Sequence, residues 1–256
     1  MLARKSFFSF VELPDPSRHH EYNEYHQLDH RPSNLALPGV VWGDRWVRTP
    51  ECAAASTGAD DRLMATHYVA MYWFADPVER SVQEWQELGE RAFQWGRKPD
   101  TEWSRRKVGS FVPLKGYVTE RVRVSEDVLP FRPVRGMHIT VSEMAEPHRG
   151  ATEEVYRWYD RVRIPELLGC RGVAGAWTFY SEWSTFGAKD DRDIVGRHRI
   201  TLLYLDGRPD DFLADRSGLP SAPDRAAVET VLLDSPLLAI EPWKWDWFDG
   251  GSGTGG

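Results

Sequence analysis

The chain contains 256 residues, of which 41% are hydrophobic, and its formal net charge is -7 at pH 7. The hydrophobic fraction is enough for a packed core. The negative charge and the lack of any Lys/Arg run longer than three residues argue against a nucleic-acid surface, because phosphate binding needs concentrated cations. No segment approaches the roughly 20 apolar residues that cross a bilayer, and the apolar run after Lys5 is too short for a secretory signal. Cys52 and Cys170 stand at unrelated positions, as incidental thiols do. We therefore expect a cytoplasmic protein without nucleic-acid or membrane partners.

The first half is predicted to follow the order strand, helix, strand, strand, helix, strand. Pro14-Asp15-Pro16 ends the first strand, Ser17 is the expected N-cap of the first helix, and Pro32 is expected shortly after that helix ends. The predicted elements are strands at 7–13, 40–48, 67–74 and within 108–124, with helices at 19–30 and 78–93. This order is that of a ferredoxin-like βαββαβ unit.

The second half repeats this plan. Residues 22–46 align without a gap on residues 155–179, with Pro32 on Pro165 and Gly39-Val40 on Gly172-Val173. The predicted elements here are strands at 137–144, 173–180 and 198–205 and a helix at 153–163. We therefore expect two tandem repeats, at 1–128 and 129–248, followed by a disordered Gly-rich tail at 249–256.

The third strand of the first half, HYVAMYWF at 67–74, is apolar on both of its faces. A strand with two apolar faces is covered on both sides. The helices of a ferredoxin-like unit cover only one face of its sheet, so the second repeat is expected to cover the other. The predicted fold class is α+β, with two ferredoxin-like βαββαβ repeats whose antiparallel sheets form an intramolecular α/β barrel.

The first helix ends in His30-Arg31-Pro32 and is followed by Pro38-Gly39-Val40 and a strand. This pattern resembles the dimeric α/β-barrel superfamily and is most similar to its EthD-like and antibiotic-biosynthesis-monooxygenase-like branches. The resemblance covers both halves. It implies a monomer with an internal pseudo-dimer, or a homodimer, and a substrate pocket between the helices and the sheet. The superfamily includes cofactor-free oxygenases, cyclases, isomerases and haem enzymes, so the fold does not settle the chemistry.

The aligned copies differ most clearly in ionisable residues, since His26 is aligned with Tyr159 and His30 with Arg163. His26 and His30 are one helical turn apart, and Tyr22 is one turn further back, so all three share a face. His30 takes the histidine position of the His-x-Pro motif, and an unperturbed imidazole titrates near working pH, which suits a general base. We expect His30 to be the base and His26 and Tyr22 to orient it or relay protons; the alternative is that these are partly exposed or packing histidines. Arg163 either contacts an anionic substrate group or is an exposed cation at a helix end.

Aromatic residues are abundant, with 12 Trp, 9 Tyr and 11 Phe. Aromatic walls suit a flat hydrophobic ligand, although packing is the commoner role of aromatic residues on strands. The residues expected around the pocket are Tyr25, Trp42, Trp46, His67, Tyr72 and Trp73. His67 and its counterpart His198 could instead fix loops where their strands begin. Trp243, Trp245 and Trp247 alternate, so they would share one face of a strand.

Several cofactor motifs are missing from the sequence. It contains no phosphate-binding glycine loop, no GxSxG elbow, no HExxH and no CxxC. A histidine pair suits a divalent metal, but the usual set of three or four zinc ligands is lacking, so no metal is expected. An axial haem histidine leaves almost no signature, so haem stays open.

These observations and the resemblance together lead to one functional expectation. We expect a cofactor-independent enzyme of secondary metabolism that isomerises, cyclises or oxygenates a small hydrophobic substrate, aromatic or polycyclic. The alternatives are a non-catalytic protein that binds a hydrophobic metabolite, and a haem enzyme of the same superfamily.

Overall fold

The computed structural model describes residues 2–99, 104–186 and 194–249, with the side chains of 104–106 left aside. Within these ranges the strands are β1 (Lys5–Glu12), β2 (Val40–Val47), β3 (Tyr68–Phe74), β4 (Ser104–Val118), β5 (Gly136–Met144), β6 (Val173–Ser184), β7 (His198–Leu205) and β8 (Glu229–Ala239). The α-helices are α1 (His19–Tyr25), α2 (Arg31–Leu35), α3 (Pro50–Ala54), α4 (Asp61–Met64), α5 (Val78–Gln94), α6 (Gly150–Trp158), α7 (Ile164–Leu168) and α8 (Pro209–Ser217). Two π-helical segments, His26–His30 and Tyr159–Arg163, join α1 to α2 and α6 to α7. None of the helices in the described ranges is both long enough and apolar enough to cross a membrane.

The strands of each half form one four-stranded antiparallel sheet. The order is β4-β1-β3-β2 in the first half and β6-β7-β5-β8 in the second. The two sheets join at both edges, because β4 pairs with β6 from Gly109 to Val118 and β2 pairs with β8 at Trp46 and Val47. The strand pairings therefore close into a barrel. The predicted α+β class is confirmed, and each half has the predicted order of elements.

The barrel interior is a packed apolar core. Alternate residues of two strands contribute to it, namely Val69, Met71 and Trp73 of β3 and Ile200, Leu202 and Tyr204 of β7. The Trp73 ring meets Trp177 and Phe179 edge to face, at centroid distances of 5.2 and 5.5 Å. Such edge contacts are favoured by the aromatic quadrupole and add to the hydrophobic gain of burial. The space between the two sheets is thus occupied by side chains.

Helices cover the outer face of each sheet. Tyr72 and Phe74 of β3 pack against Trp85 of α5, at ring distances of 5.7 and 5.4 Å. Tyr68, at the start of the same strand, lies beside Tyr22 of α1 at 4.9 Å. Every residue of β3 except Ala70 is buried. The prediction that this strand is covered on both faces is confirmed.

The first helix differs from the prediction at both ends. Ser17 is not the N-cap of α1; the carboxylate of Asp15 caps the short 3-10 turn Pro16–Arg18 by accepting from the Ser17 N–H at 2.9 Å. Nor does Pro32 follow the end of the helix, since it lies within α2. A proline inside a helix removes one N–H donor and clashes with the carbonyl four residues earlier. The wider π-helical turn directly before Pro32, and before Pro165 in the second half, makes room for the ring.

The chain after β8 does not form the strand that was expected to align three tryptophans. Trp243 has a φ angle of 67°, which breaks an extended conformation. The segment Trp243–Phe248 instead folds back over the first half, where the Phe248 ring stacks on His19 at 4.0 Å. Of the predicted Gly-rich tail, residues 250–256 lie outside the described residues.

Candidate functional site

A cavity of about 940 Å³ lies between the first π-helical segment and α5. This volume is at the upper end of the range of roughly 300–1,000 Å³ that small-molecule pockets span. The helix side contributes Tyr25, His26, His30 and Asn34, and Trp85 and Phe93 of α5 add apolar surface opposite. The cavity therefore combines aromatic walls with two imidazoles.

The ring of His26 is fixed by its surroundings. Its Nδ1 lies 2.9 Å from the carbonyl oxygen of Tyr22. A carbonyl oxygen can only accept, so Nδ1 carries the proton and Nε2 of the neutral ring carries the lone pair. Tyr22 and Tyr25 pack against the ring at 4.1 and 4.9 Å. The residue is 8% exposed, so its ring is held in this orientation by the surrounding side chains.

His30 contacts His26 edge to face, at a centroid distance of 5.1 Å. Its ring stacks on Tyr25 at 5.5 Å, and the Tyr25 hydroxyl lies 3.4 Å from His30 Nδ1. The buried Asn34 side chain donates to the His30 carbonyl at 2.7 Å and to the Tyr72 hydroxyl at 3.2 Å. Asn34 thereby ties the π-helical segment to β3. The two histidines form one unit whose backbone is anchored to the sheet.

The structure brings together only part of the predicted site. Tyr25, His26 and His30 contact one another. Tyr22 is buried and meets His26 through its carbonyl as well as its ring. Tyr72 lies beneath them, 6.5 Å from the His30 ring.

Other predicted pocket residues lie elsewhere. Trp46 and Trp73 face the barrel interior, where they are 2% and 3% exposed. Trp42 packs against Phe131 at 5.2 Å. His67 accepts a hydrogen bond from the Leu13 N–H at 3.0 Å, which fits the alternative of a loop-fixing histidine. The physical reason is strand parity, since on a strand with two buried faces the sequence does not tell which aromatic residues point inward.

The second half has a cavity at the equivalent place in the fold. Trp158, Tyr159, Arg163 and Leu167 line it, and these are the residues that the alignment sets opposite Tyr25, His26, His30 and Asn34. Its volume is only about 160 Å³. Arg163 lies 3.3 Å from both a Glu166 carboxylate oxygen and the Pro220 carbonyl. The same scaffold thus surrounds a large cavity with imidazoles in one half and a small cavity with guanidinium groups in the other.

A buried polar cluster beside this small cavity was not predicted as a unit. Asp234 of β8 accepts two hydrogen bonds from Arg216 at 2.6 and 2.8 Å and one from the Thr140 hydroxyl at 3.0 Å. His138 Nε2 lies 3.1 Å from the same carboxylate. Burial alone would raise the pKa of Asp234, but the charge and hydrogen bond of His138, together with Arg216, lower it well below its usual range. No local pattern could have shown this cluster, because its members are far apart in the sequence.

Two further histidines are held neutral by burial. Burial lowers the pKa of His19 to about 4, with a contribution from His67, and His19 Nδ1 lies 2.7 Å from the Tyr68 hydroxyl. Burial, Arg197 and Lys107 lower the pKa of His198 to about 4. Across residues 2–99, 104–186 and 194–249, no three His, Cys, Asp or Glu side chains are placed to hold a metal ion.

Comparison with known proteins gives similarity at the level of the fold. No protein-family model and no curated protein sequence matches the chain. Among solved structures, a protein from Fusobacterium nucleatum named as a candidate monooxygenase has a TM-score of 0.54 and 8% identity, covering 94% of each chain. An anthrone oxidase-like protein has a TM-score of 0.51 and 10% identity, covering 93% of this chain and 92% of the other. A protein named as a candidate chlorite dismutase has a TM-score of 0.51 and 12% identity, covering 97% and 99%. At these identities the likeness shows a shared fold along almost the whole chain.

Proposed function

We propose that the chain is a small-molecule enzyme that removes a proton from carbon in the first-half cavity, without a cofactor. One observation carries the proposal: His26 has its Nδ1–H bound to the Tyr22 carbonyl, so a base nitrogen of known tautomer belongs to a ring on the wall of a 940 Å³ cavity. We therefore propose His26 as the base, in place of His30, which the sequence favoured. Tyr22 acts through its backbone oxygen.

The substrate class follows from the walls. Tyr25, Trp85 and Phe93 offer ring faces and apolar surface to a flat substrate. An aromatic ketone with an acidic C–H would give up that proton to Nε2 of His26 and leave an enolate. His30, at 5.1 Å from His26, would pass the proton towards solvent. The enolate can then be reprotonated elsewhere, close a ring, or react with O2, which covers isomerisation, cyclisation and oxygenation.

Anthrone is a suitable probe, because its methylene group lies between two aromatic rings that conjugate it with a ketone. Loss of a methylene proton gives the anthrone enolate, which O2 oxidises. One oxygen atom of O2 becomes the new carbonyl of anthraquinone and the other leaves as water, so no further reductant is needed. We expect oxygen uptake with anthrone to fall by about a hundredfold or more in His26→Gln, the usual effect of losing a general base.

His20→Gln is the matched control, since His20 is an exposed histidine on α1, the helix directly before the π-helical segment, and receives the same substitution. It should retain wild-type turnover. Full turnover in His26→Gln would remove His26 from the mechanism. Anthrone binding without turnover in the wild-type protein would favour the alternative of a non-catalytic metabolite-binding protein.

The haem alternative would use the same cavity. His26 or His30 would hold the haem iron, which would supply redox chemistry. The second half is less suited to haem. Its 160 Å³ cavity is smaller than the usual ligand pocket, and His138 Nε2 already contacts Asp234. A red-brown purified protein would contradict the cofactor-independent proposal.

We also infer that the two halves are tandem repeats of one unit and that only the first kept base chemistry. The matched π-helical segments support this history, because both begin and end at aligned residues. The alignment sets the two histidines of the first segment opposite a tyrosine and an arginine in the second. A guanidinium cannot act as a base near neutral pH.

A further inference from the structure

A second groove, separate from the His26 cavity, runs along the outer face of the second half. Its volume is about 620 Å³, within the usual range for small-molecule sites. Tyr156 and Asp160 line it from the helix side, and Lys115, Tyr180 and Arg199 line it from β4, β6 and β7. Tyr180 and Arg199 are directly opposite each other in the sheet.

Arg199 is an unusual feature of this groove. It is 3% exposed, and within the described part of the chain its Nε, Nη1 and Nη2 atoms make no hydrogen bond. Among the described residues, the nearest carboxylate oxygen, on Asp160, is 3.9 Å away and already accepts from the Tyr117 hydroxyl at 2.8 Å. The other oxygen of Asp160 is bound by Lys115. A buried guanidinium normally has its donors satisfied, because an unpaired buried charge is costly.

Aromatic rings compensate only part of this cost. The Arg199 guanidinium lies 4.9 Å from the Tyr156 ring centroid and 4.7 Å from that of Tyr159. Such cation–π contacts favour the charge but leave its N–H groups without acceptors. An anion in the groove would supply them, and a carboxylate matches the planar fork of a guanidinium with two parallel hydrogen bonds.

The first half shows what fills the equivalent place. Val69, Met71 and Trp73 correspond to Ile200, Leu202 and Tyr204 in the barrel core, so Tyr68 corresponds to Arg199. The Tyr68 hydroxyl is satisfied by His19 and Asn23, at 2.7 and 2.8 Å.

Next to Tyr68 the chain places an aromatic ring of its own. Phe248 lies 6.1 Å from the Tyr68 ring and stacks on His19. This segment follows β8, the last strand of the second half. In the second half the corresponding space is the open groove. Arg199, whose side chain makes no hydrogen bond to the described residues, takes the position that the hydrogen-bonded Tyr68 has in the first half.

We propose that this groove is a second ligand site, which binds an aromatic carboxylate. Its carboxylate pairs with Arg199, and its ring system lies against Tyr156 and Tyr180, as the Phe248 ring lies against the first half. The site stands independently of the proton-transfer proposal, because it shares no residue with the His26 cavity.

Isothermal titration calorimetry of the full chain with 2-naphthoate tests this proposal. We expect saturable binding at one site and a loss of about tenfold or more in affinity in Arg199→Gln, since a charge-assisted bidentate pair is removed. Arg157→Gln is the matched control, because Arg157 lines the same groove but is paired with Glu154 at 2.6 Å. It should change the affinity by less than about threefold, as expected for an exposed, paired charge.

Four further measurements make the result decisive. The neutral amide 2-naphthamide should bind more weakly than the acid and should not respond to Arg199→Gln. His26→Gln should leave 2-naphthoate binding unchanged, which separates the two sites. Arg199→Gln should melt no lower than wild type without ligand, because it removes a buried charge whose N–H groups have no acceptor among the described residues. Arg199→Lys, which keeps the charge, should bind with intermediate affinity. No saturable binding of 2-naphthoate, or equal affinity in wild type and both Arg199 variants, would overturn the proposal.

Discussion

The pH dependence of stability should carry the signature of His198. Burial lowers the pKa of this residue from 6.5 to about 4 in the folded chain. Between these values the unfolded chain binds more protons, so this contribution is fully present above pH 6.5 and is lost as the pH falls towards 4. At about 1.36 kcal/mol per pKa unit, the free energy of unfolding should lose about 2 kcal/mol by pH 5 and about 3 kcal/mol by pH 4.

His198→Asn removes the titration, and the Asn oxygen can still accept from the Ser184 hydroxyl, which lies 2.6 Å from His198 Nδ1. Urea unfolding at pH 7.5 and pH 5 gives the loss of stability for each protein. Wild type should lose about 2 kcal/mol more than His198→Asn over this interval, since the contribution of His19 is common to both. The exposed His20→Asn should behave as wild type. Equal losses in wild type and His198→Asn would show that His198 is not held neutral by burial.

Three other substitutions test the packing around the sites. Trp73→Ala should lower the free energy of unfolding in urea by about 3–5 kcal/mol without removing a ligand contact. Trp95 is 62% exposed, so Trp95→Ala should change that free energy by less than about 0.5 kcal/mol. A reduced anthrone affinity in a folded Trp73 variant would contradict the place of Trp73 in the barrel core. Asp234→Asn should lower the free energy of unfolding by about 3 kcal/mol. A double-mutant cycle with Arg216→Gln should give a coupling energy of about 2 kcal/mol, and additive losses would show that the pair is not coupled. Because the pKa of Asp234 is lowered in the folded chain, its contribution to the free energy of unfolding is present above about pH 4 and is lost as the pH falls below it. Wild type should therefore begin to unfold in acid at a higher pH than its stability at neutral pH implies. Asn34→Leu should lower the free energy of unfolding by about 1–2 kcal/mol and slow anthrone turnover, because two hydrogen bonds that anchor the π-helical segment are lost. Unchanged turnover would show that this anchor does not contribute to the chemistry.

The internal alignment of the sequence predicted more than the order of elements. It set residues 26–30 opposite 159–163, and these are the two π-helical segments. It also predicted that the polar groups on the two segments differ, and each segment lines a cavity of its own half. The π geometry itself was not predictable, since the helical spacing of His26 and His30 is compatible with an ordinary α-helix. Pro32 was therefore interpreted as a helix end, although a wider turn lets the helix continue through it.

The inward or outward direction of strand residues was beyond the sequence. Trp46 and Trp73 are as aromatic as their neighbours, and both faces of β3 are buried, so no polar alternation marks the outer face. Contacts between distant residues were hidden for another reason. Asp234 and His138 are 96 residues apart and meet only because β5 pairs with β8.

Arg199 did leave a signal in the sequence. It stands in HRITLLYL, a strand that is buried at every position. A lone arginine in such a run indicates a paired or ligand-binding charge.

Deuterium exchange at the anthrone methylene group, measured by NMR in D2O without oxygen, tests the central claim most directly, because it reports proton removal before any later step. Wild type and His20→Gln should accelerate the exchange above the buffer rate, and the exchange with His26→Gln should be about a hundredfold slower than with wild type. Exchange at the same rate in wild type and His26→Gln, with anthrone bound by both, would contradict a proton transfer by His26.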